Sequence, residues 1–188
     1  STTIYAIRRS LGHEVIEELL ADFDGALMCD GANVFDATDY FLLRCNAHPL
    51  RRITKLLETA VGRDRWYLEQ LQALWREALH LGQRRETLSE RGYQRRATEM
   101  INRFHAWLDF HGRQPGEELA RLARHLNQHR HAWLAHLYFP EFPTTNNDTE
   151  RILKPAILGR KIGACNKTDR GAETYSRLLS LLITLDQR

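Results

Sequence analysis

One acidic residue stands where a short apolar run of the sequence ends. Residues Ala26 to Cys29 are all apolar or cysteine, and Asp30 and Gly31 follow them directly. Such a run is typical of a strand buried on both faces, and open sheets place their ligand sites beyond the C-terminal ends of their strands. Asp30 is therefore a candidate catalytic or metal-binding carboxylate. Asp-Gly is also a common turn signal, and the sequence leaves both interpretations open.

A second candidate carboxylate, Glu150, follows a cluster of helix-capping residues. It lies three residues after Asn147, which is the spacing of a capping box with Asn in place of Ser or Thr. The alternative is that Glu150 projects from the first turn of a helix and shares a divalent cation with Asp30. Carboxylate oxygens are the ligands that Mg²⁺ prefers in proteins. The capping role and the metal-binding role of Glu150 do not exclude each other.

Basic residues are concentrated in two stretches of the sequence. Those that surround Glu150 or follow it are Arg151, Lys154, Arg160, Lys161, Lys167 and Arg170, and an earlier group comprises Arg51, Arg52 and Lys55. The segment 151–188 contains only three acidic residues, Asp169, Glu173 and Asp186. Lys and Arg side chains neutralise nucleic-acid phosphates, so phosphate contact is one hypothesis for these residues. An ordinary solvated face is the other.

Histidine and cysteine give weaker signals. Cys45 and His48 have a zinc-like spacing, but no second pair follows at a suitable distance. His125 and His129 share a helical spacing without the glutamate of an HExxH motif. The glycine-rich phosphate loops of nucleotide-binding proteins are also missing from the sequence. Buried core positions remain the simpler interpretation of the cysteines.

The elements that must position these residues begin as an α/β pattern. The residue types predict a strand over Thr2–Arg8, a helix over His13–Ala21, and two further strands over Ala26–Cys29 and Tyr40–Cys45. Strands and helices in this rhythm indicate a sheet with helices packed on it.

From Pro49 onward the pattern becomes helical. A first helix is predicted to run through Thr59, and three long amphipathic helices are predicted over 64–81, 93–110 and 117–137. A final helix over 172–185 carries an apolar stripe that includes Leu178, Leu179 and Leu182. A helical insertion within an α/β domain explains this order of elements.

The composition indicates a folded protein and excludes several classes. The 188 residues are 43% hydrophobic and 27% charged, which excludes wholesale disorder. A formal net charge of +3 permits a polyanionic partner without requiring one. The apolar run Leu178–Leu185 is too short to span a bilayer, and the start of the sequence lacks the pattern of a secretory signal. Three scattered cysteines do not form a disulfide framework, so a reducing cytoplasm is the expected compartment.

Two blocks of the sequence resemble a known family. Residues 22–33 and 44–52 resemble bacterial DDE transposases of the insertion-sequence-sixty-six family, in which a strand ends in Asp-Gly and a Cys-x-Ala-His-x-x-Arg segment opens a helix. Residues 145–155, with the following Arg160-Lys161, resemble the family's Asn-Asn-x-x-Glu-Arg-x-x-(Arg/Lys)-Pro block. The two blocks bracket the chain, and the helical insertion lies between them, where the family also tolerates one.

The resemblance implies DNA transposition by metal-dependent cleavage and strand transfer. Asp30 would be the second acid of the DDE triad and Glu150 the third, and both would bind Mg²⁺ or Mn²⁺. In-line attack on a phosphodiester uses two such cations about 3.5–4 Å apart, held by carboxylate oxygens. The residues expected to contact DNA are Arg51, Arg52, Asn146, Asn147, Arg151, Arg160 and Lys161. The implied partners are transposon-end and target DNA and further copies of the chain, at the bacterial nucleoid and not at a membrane.

The fold prediction that follows is a helix-rich α/β protein with a partial RNase H-like sheet interrupted by an all-helical insertion. Residues 1–62 would be the first part of the catalytic domain, 63–143 the insertion, and 144–188 the C-terminal helices with the third acid. The family's first catalytic Asp lies on a strand upstream of the one that Thr2–Arg8 resembles. Asp22 and Asp24 precede their strand and so would lie at the opposite end from Asp30. The chain alone is therefore expected to be an incomplete, inactive portion of a transposase.

Two other classes of function remain open on the sequence. The chain could be a non-catalytic DNA-binding or regulatory module that uses its helices and basic segment. It could also be a helical interaction domain in which Asp30 and Glu150 only form a turn and a cap.

Overall fold

The computed structural model describes residues 2–9, 12–110, 116–139, 141–162 and 168–187, without the side chains of Phe110 and Arg160. Within these ranges the α-helices and strands are α1 (His13–Leu19), β1 (Ala26–Cys29), β2 (Phe41–Arg44), α2 (Ala47–Leu57), α3 (Gly62–Gln83), α4 (Glu90–Phe110), α5 (Glu117–Gln128), α6 (Asn147–Ile162) and α7 (Asp169–Asp186). Short 3-10 helices lie at Asn33–Ala37, Arg85–Thr87 and Ala135–Leu137. The prediction of a helix-rich α/β protein is confirmed, and the RNase H-like arrangement stays a prediction.

The chain divides into two compact units. The central unit comprises Asp24–Ala32 and Tyr40–Asn146. The terminal unit comprises Ser1–Phe23, Asn33–Asp39 and Asn147–Arg188. These units follow the packing of the chain and do not test the predicted boundaries after residues 62 and 143, which stay a prediction. Every helix within the described ranges is too short or too polar to cross a membrane.

The central unit contains a two-stranded parallel sheet. Strands β1 and β2 pair in a register that sets Ala26 opposite Phe41 and Cys29 opposite Arg44. The ladder continues one step further, because the Cys45 amide donates to the Cys29 carbonyl oxygen at 3.0 Å. Both apolar runs of the sequence are therefore strands, as predicted. Their parallel pairing brings both C-terminal ends to the same edge of the sheet, which is the edge where Asp30 follows β1.

The core of the central unit is formed by α2, α3, α4 and α5 around an aromatic cluster. The Trp75 ring lies edge-on to Phe104, at 5.3 Å between centroids, and to Trp133, at 5.9 Å. All three residues are at most 1% exposed. The Trp133 indole nitrogen donates to the Leu126 carbonyl at 3.1 Å, so its polar atom is satisfied inside the core.

The helix predicted over 117–137 is wrong in its second half. Helix α5 ends at Gln128, and the five residues from Trp133 to Leu137 are all buried. Five consecutive buried residues do not fit the single apolar face of an amphipathic helix, and here the chain follows turns and a short 3-10 helix instead. Leu134 adopts the left-handed conformation with a φ of 58° and is fully buried. Burial of its side chain offsets the cost of this conformation, about 1–2 kcal/mol.

In the terminal unit, the strand predicted over Thr2–Arg8 is wrong. The segment lies along α7, where the amides of Thr3, Tyr5 and Ile7 donate to the side-chain oxygens of Thr184, Ser180 and Ser176 at 3.1, 2.8 and 3.2 Å. Two residues of extended chain advance about 6.6 Å, and four residues of helix about 6 Å, so alternate amides meet every fourth helical residue. We call this arrangement the hydroxyl ladder. It gives the extended segment hydrogen-bond partners without a neighbouring strand.

The hydroxyl ladder also changes the interpretation of α7. Ser176 and Leu179 are the buried residues of this helix, whereas Leu178 and Leu182 are 53% and 60% exposed. The predicted apolar stripe therefore does not lie wholly in a core. At its start, Thr168 caps the helix by accepting a hydrogen bond from the Gly171 amide at 3.1 Å.

Candidate functional site

Asp30 lies immediately after β1, where the sequence predicts it. Its Oδ1 accepts a hydrogen bond from the Ala32 amide at 2.9 Å, which is the geometry of an Asx turn. The turn interpretation of Asp30 is thus correct, and the turn uses only one of the two carboxylate oxygens. Among the described residues, Oδ2 accepts no hydrogen bond. Half-buried Asp30 retains one carboxylate oxygen that can serve as a ligand.

Arg44 holds the backbone of the turn that Asp30 begins. It is the last residue of β2 and is only 1% exposed. Its Nη1 donates to the carbonyl oxygens of Asp30, at 3.0 Å, and of Ala32, at 3.4 Å. A guanidinium presents several donors in a rigid plane, so one side chain can fix two carbonyls of one loop. The sequence signal for this role is a lone Arg within the apolar run 40–45.

Asn46 and His136 form a buried polar network next to the strand edge. Asn46 Nδ2 donates to the Thr144 carbonyl at 2.9 Å and lies 3.2 Å from His136 Nδ1. Its Oδ1 accepts from the Leu134 amide at 3.3 Å. His136 Nε2 lies 3.3 Å from the Ala78 carbonyl. These partners assign the proton to Nε2 and leave Nδ1 as an acceptor, so the ring is neutral.

Burial also favours the neutral ring of His136. The side chain is 5% exposed, and desolvation lowers the pKa of His136 below its ordinary value, only partly opposed by the hydrogen bond to Ala78. A neutral histidine with both nitrogens satisfied is a structural element and not a proton donor or acceptor for a substrate.

The two cysteines of the central unit have structural roles. Cys45 Sγ accepts a hydrogen bond from the Asn146 amide at 3.2 Å, and Cys29 Sγ donates to the Leu43 carbonyl at 3.6 Å. Both thiols are buried and free of disulfides. The predicted DNA contact of Asn146 therefore concerns its side chain alone, because its backbone amide is anchored beside β2.

Helix α6 carries Glu150 in the terminal unit. The helix begins at Asn147, so Asn147 lies within the first turn and not ahead of it, and the capping-box spacing is shifted by one residue. Glu150 stands in the same turn and is half-buried. The N-terminal end of a helix carries partial positive charge, which attracts negatively charged groups.

The predicted basic residues differ in their surroundings. Arg51 is exposed and Arg52 half-buried on α2, and Arg51 Nη2 lies 3.3 Å from His48 Nε2. Arg151 is exposed and pairs with Asp148 at 2.6 Å, and Lys161 is exposed near the end of α6. The side chain of Arg160 lies outside the described residues.

The structure assigns the predicted site residues to both units. The central unit holds Asp30, Arg51, Arg52 and Asn146, and the terminal unit holds Asn147, Glu150, Arg151, Arg160 and Lys161. The shared metal ion of Asp30 and Glu150 stays a prediction.

Comparison with known proteins assigns the chain to a family. The sequence profile of the Transposase IS66 family matches residues 1–174, a range that includes both carboxylates and both motif blocks. No curated protein and no solved structure shows significant similarity to the chain. The matched range covers nearly the whole sequence, and the chain therefore belongs to the IS66 family of transposases.

Proposed function

We propose that this protein acts in DNA transposition, by metal-dependent cleavage and strand transfer of DNA with Asp30 and Glu150 as catalytic carboxylates. The observation that carries the proposal is the family match, which spans both acids. DNA ends, target DNA and further copies of the chain are the partners that this activity requires. The family generally uses a divalent metal ion.

The donor chemistry of the two residues fits a hard cation. Both offer carboxylate oxygens, which suit Mg²⁺ and Mn²⁺. In Asp30 one oxygen is fixed by the Ala32 amide while Oδ2 remains available as a ligand. When bound between carboxylates, such cations activate the attacking oxygen and stabilise the leaving oxygen of a phosphodiester.

The chain's own residues supply positioning. The Asx turn and the two hydrogen bonds from Arg44 hold the Asp30 backbone from both sides of the turn. Glu150 projects from a helix, where its backbone is fixed more firmly than in a loop. Exposed Arg51 and Lys161 would neutralise DNA phosphates as the backbone approaches.

A strand-transfer assay with Mg²⁺ or Mn²⁺ tests the proposal. The assay uses the sequence extended upstream by the strand that carries the family's first acid, as the resemblance implies. Asp30→Asn keeps an oxygen to accept the Ala32 hydrogen bond but removes the charge, and Glu150→Gln removes the charge of the second carboxylate. Each variant is expected to lower turnover by at least about 100-fold.

Glu173→Gln is the matched control for Glu150→Gln. Glu173 is an exposed acid on α7, in the same unit, and it pairs with Arg177 at 2.5 Å. Its replacement is expected to leave turnover unchanged. Full turnover in Glu150→Gln would contradict the assignment. DNA binding that persists without any cleavage by the extended protein would favour the non-catalytic DNA-binding module instead.

A further inference from the structure

The central unit has a basic groove between α2 and α3. The groove is open to solvent, and its lining residues are Ala47, Leu50, Arg51, Thr54, Lys55, Glu58 and Arg76. We call it the α2–α3 groove. Three of these residues are cations and one is a carboxylate, so the groove carries an excess of positive charge.

The cations of the groove are arranged on rigid elements. Arg51 and Lys55 are four residues apart on α2 and therefore share one helical face, and Arg76 reaches the groove from α3. The two helices are joined by a hydrogen bond from Gln72 Nε2 to Thr54 Oγ1 at 2.9 Å. The α2 residue Ile53 is fully buried in the core. The backbone positions of the three cationic residues are thus set before any ligand binds.

Two cations of the groove have no carboxylate partner among the described residues, unlike Arg103 and Arg121 of the same unit. Arg103 pairs with Glu77 at 2.8 Å, and Arg121 pairs with Glu117 at 2.7 Å. In the described part of the chain, the side chains of Lys55 and Arg76 form neither an ion pair nor a hydrogen bond. Uncompensated cations in a concave surface concentrate a positive potential that attracts polyanions.

The start of α2 adds to this potential. Ala47, the first residue of the helix, lines the groove. The first turn of a helix carries partial positive charge, which attracts anionic groups. The groove therefore combines three cationic side chains with a helix N-terminal end.

We propose that the α2–α3 groove binds the sugar–phosphate backbone of DNA through Arg51, Lys55 and Arg76. This inference rests on the proposed function, which makes DNA the polyanion that the protein meets. Arg51 and Lys55, one helical turn apart, contact neighbouring phosphates of one strand, and Arg76 contacts the same backbone from the facing helix. Contacts of this kind carry no sequence information and position the duplex on the protein.

The test measures how the 188-residue chain binds a double-stranded oligonucleotide of arbitrary sequence over a range of salt concentrations. Fluorescence anisotropy gives the association constant K at each salt concentration. The slope of log K against the log of the salt concentration is negative, and its magnitude falls by about 1 for each lost phosphate contact. The double variant Lys55→Gln/Arg76→Gln is expected to bind more weakly and to lose about 2 from this slope. All the side chains changed are exposed, and far-UV circular dichroism checks that the helices remain.

The matched control is Arg103→Gln/Arg121→Gln. It removes the same net charge from the same unit, but at residues already paired with carboxylates. We expect its salt slope to equal that of the unchanged chain. An equal loss of slope in both double variants would overturn the groove as a specific site, because net charge alone would then explain the effect.

Glu58→Gln should have the opposite effect on DNA affinity. It removes the one carboxylate that lines the groove, so DNA binding should become tighter while the helices are unchanged. A double groove variant with an unaltered slope would overturn the groove while leaving DNA binding by the protein intact. A chain that binds no DNA even at low salt would overturn both the groove and the DNA-binding part of the proposed function.

Discussion

The two units position their candidate carboxylates by different physical means. In the central unit, Asp30 follows a strand of a unit whose core contains fully buried Trp75 and Phe104. In the terminal unit, Glu150 stands on a helix whose Leu158 and Ile162 are 56% and 77% exposed. Packing dominates in the first unit, and hydrogen bonds to hydroxyl groups are prominent in the second. Surface substitutions should therefore change the stability of the central unit little, and substitutions that leave a cavity in its core should lower it strongly. The stability of the terminal unit should depend on single hydrogen bonds.

The largest expected effect is on the aromatic core. Trp75→Ala removes a fully buried ring that contacts Phe104 and Trp133, so it should lower the free energy of unfolding of the central unit by about 3–5 kcal/mol. Trp66→Ala is the control on the same helix, because Trp66 is 55% exposed and its loss should cost less than about 1 kcal/mol. Urea denaturation measures both. Equal losses would refute the claim that packing holds this unit.

The second prediction concerns pH. Burial lowers the pKa of His136 in the folded protein, so the unfolded chain binds the proton more readily. The contribution of neutral His136 to the free energy of unfolding should thus be fully present above the ordinary histidine pKa of about 6.5. It should decline as the pH falls below that value. Burial also lowers the pKa of His105, so this residue adds to the same pH dependence.

Urea denaturation at pH 7.5 and at pH 5 measures this effect. His136→Gln keeps a polar side chain without the titration and should reduce the pH dependence, although it lowers stability at both values. Because His13 is the one histidine in the terminal unit, amide exchange should accelerate mainly in the central unit at low pH. A pH dependence confined to the terminal unit would contradict this prediction.

A smaller effect is expected for the hydroxyl ladder. Ser180→Ala removes the acceptor of the Tyr5 amide, which should cost about 1 kcal/mol and speed hydrogen exchange at Tyr5 and its neighbours. Thr174→Ala is the control on the same helix, because its hydroxyl donates to the Arg170 carbonyl of α7 itself. Unchanged exchange at Tyr5 in Ser180→Ala would show that the ladder does not hold the segment.

The smallest effect is expected at an exposed ion pair of the terminal unit. Arg9 Nε lies 2.7 Å from Asp169 Oδ1, and this hydrogen bond lowers the pKa of the Asp169 carboxyl. Arg9→Gln should raise that pKa toward its ordinary value, as measured by NMR titration, without a measurable change in stability. A clear loss of stability would mean that surface charge, and not the ladder, anchors this segment.

The sequence predicts the elements better than it predicts their partners. The two apolar runs and the amphipathic helices follow from local periodicity, and the structure confirms them except for the second half of the helix predicted over 117–137. The strand over Thr2–Arg8 is wrong because β-forming residue types specify an extended chain and not what it pairs with. The hydroxyls of Ser180 and Thr184, which interrupt an apolar run in the sequence, are the partners that it finds.

The candidate site shows the same division. The position of Asp30 at a strand end could be predicted, since it depends on adjacent residues. The contact of Asn46 with His136 could not, because 90 residues separate the two side chains along the chain. Arg76 likewise joins Arg51 and Lys55 only through the packing of two helices.

The contacts of Arg44, the last residue of β2, and of Cys45 and Asn46 after it have a consequence for the order of folding. Arg44 contacts residues 30 and 32, Cys45 contacts Asn146, and Asn46 contacts Leu134, His136 and Thr144. Most of these contacts close loops of 88 to 101 residues, which helical turns do not require. During synthesis on a ribosome, the intervening helices can therefore form early. The contacts at the sheet edge beside Asp30 can form completely only after residue 146 has been synthesised.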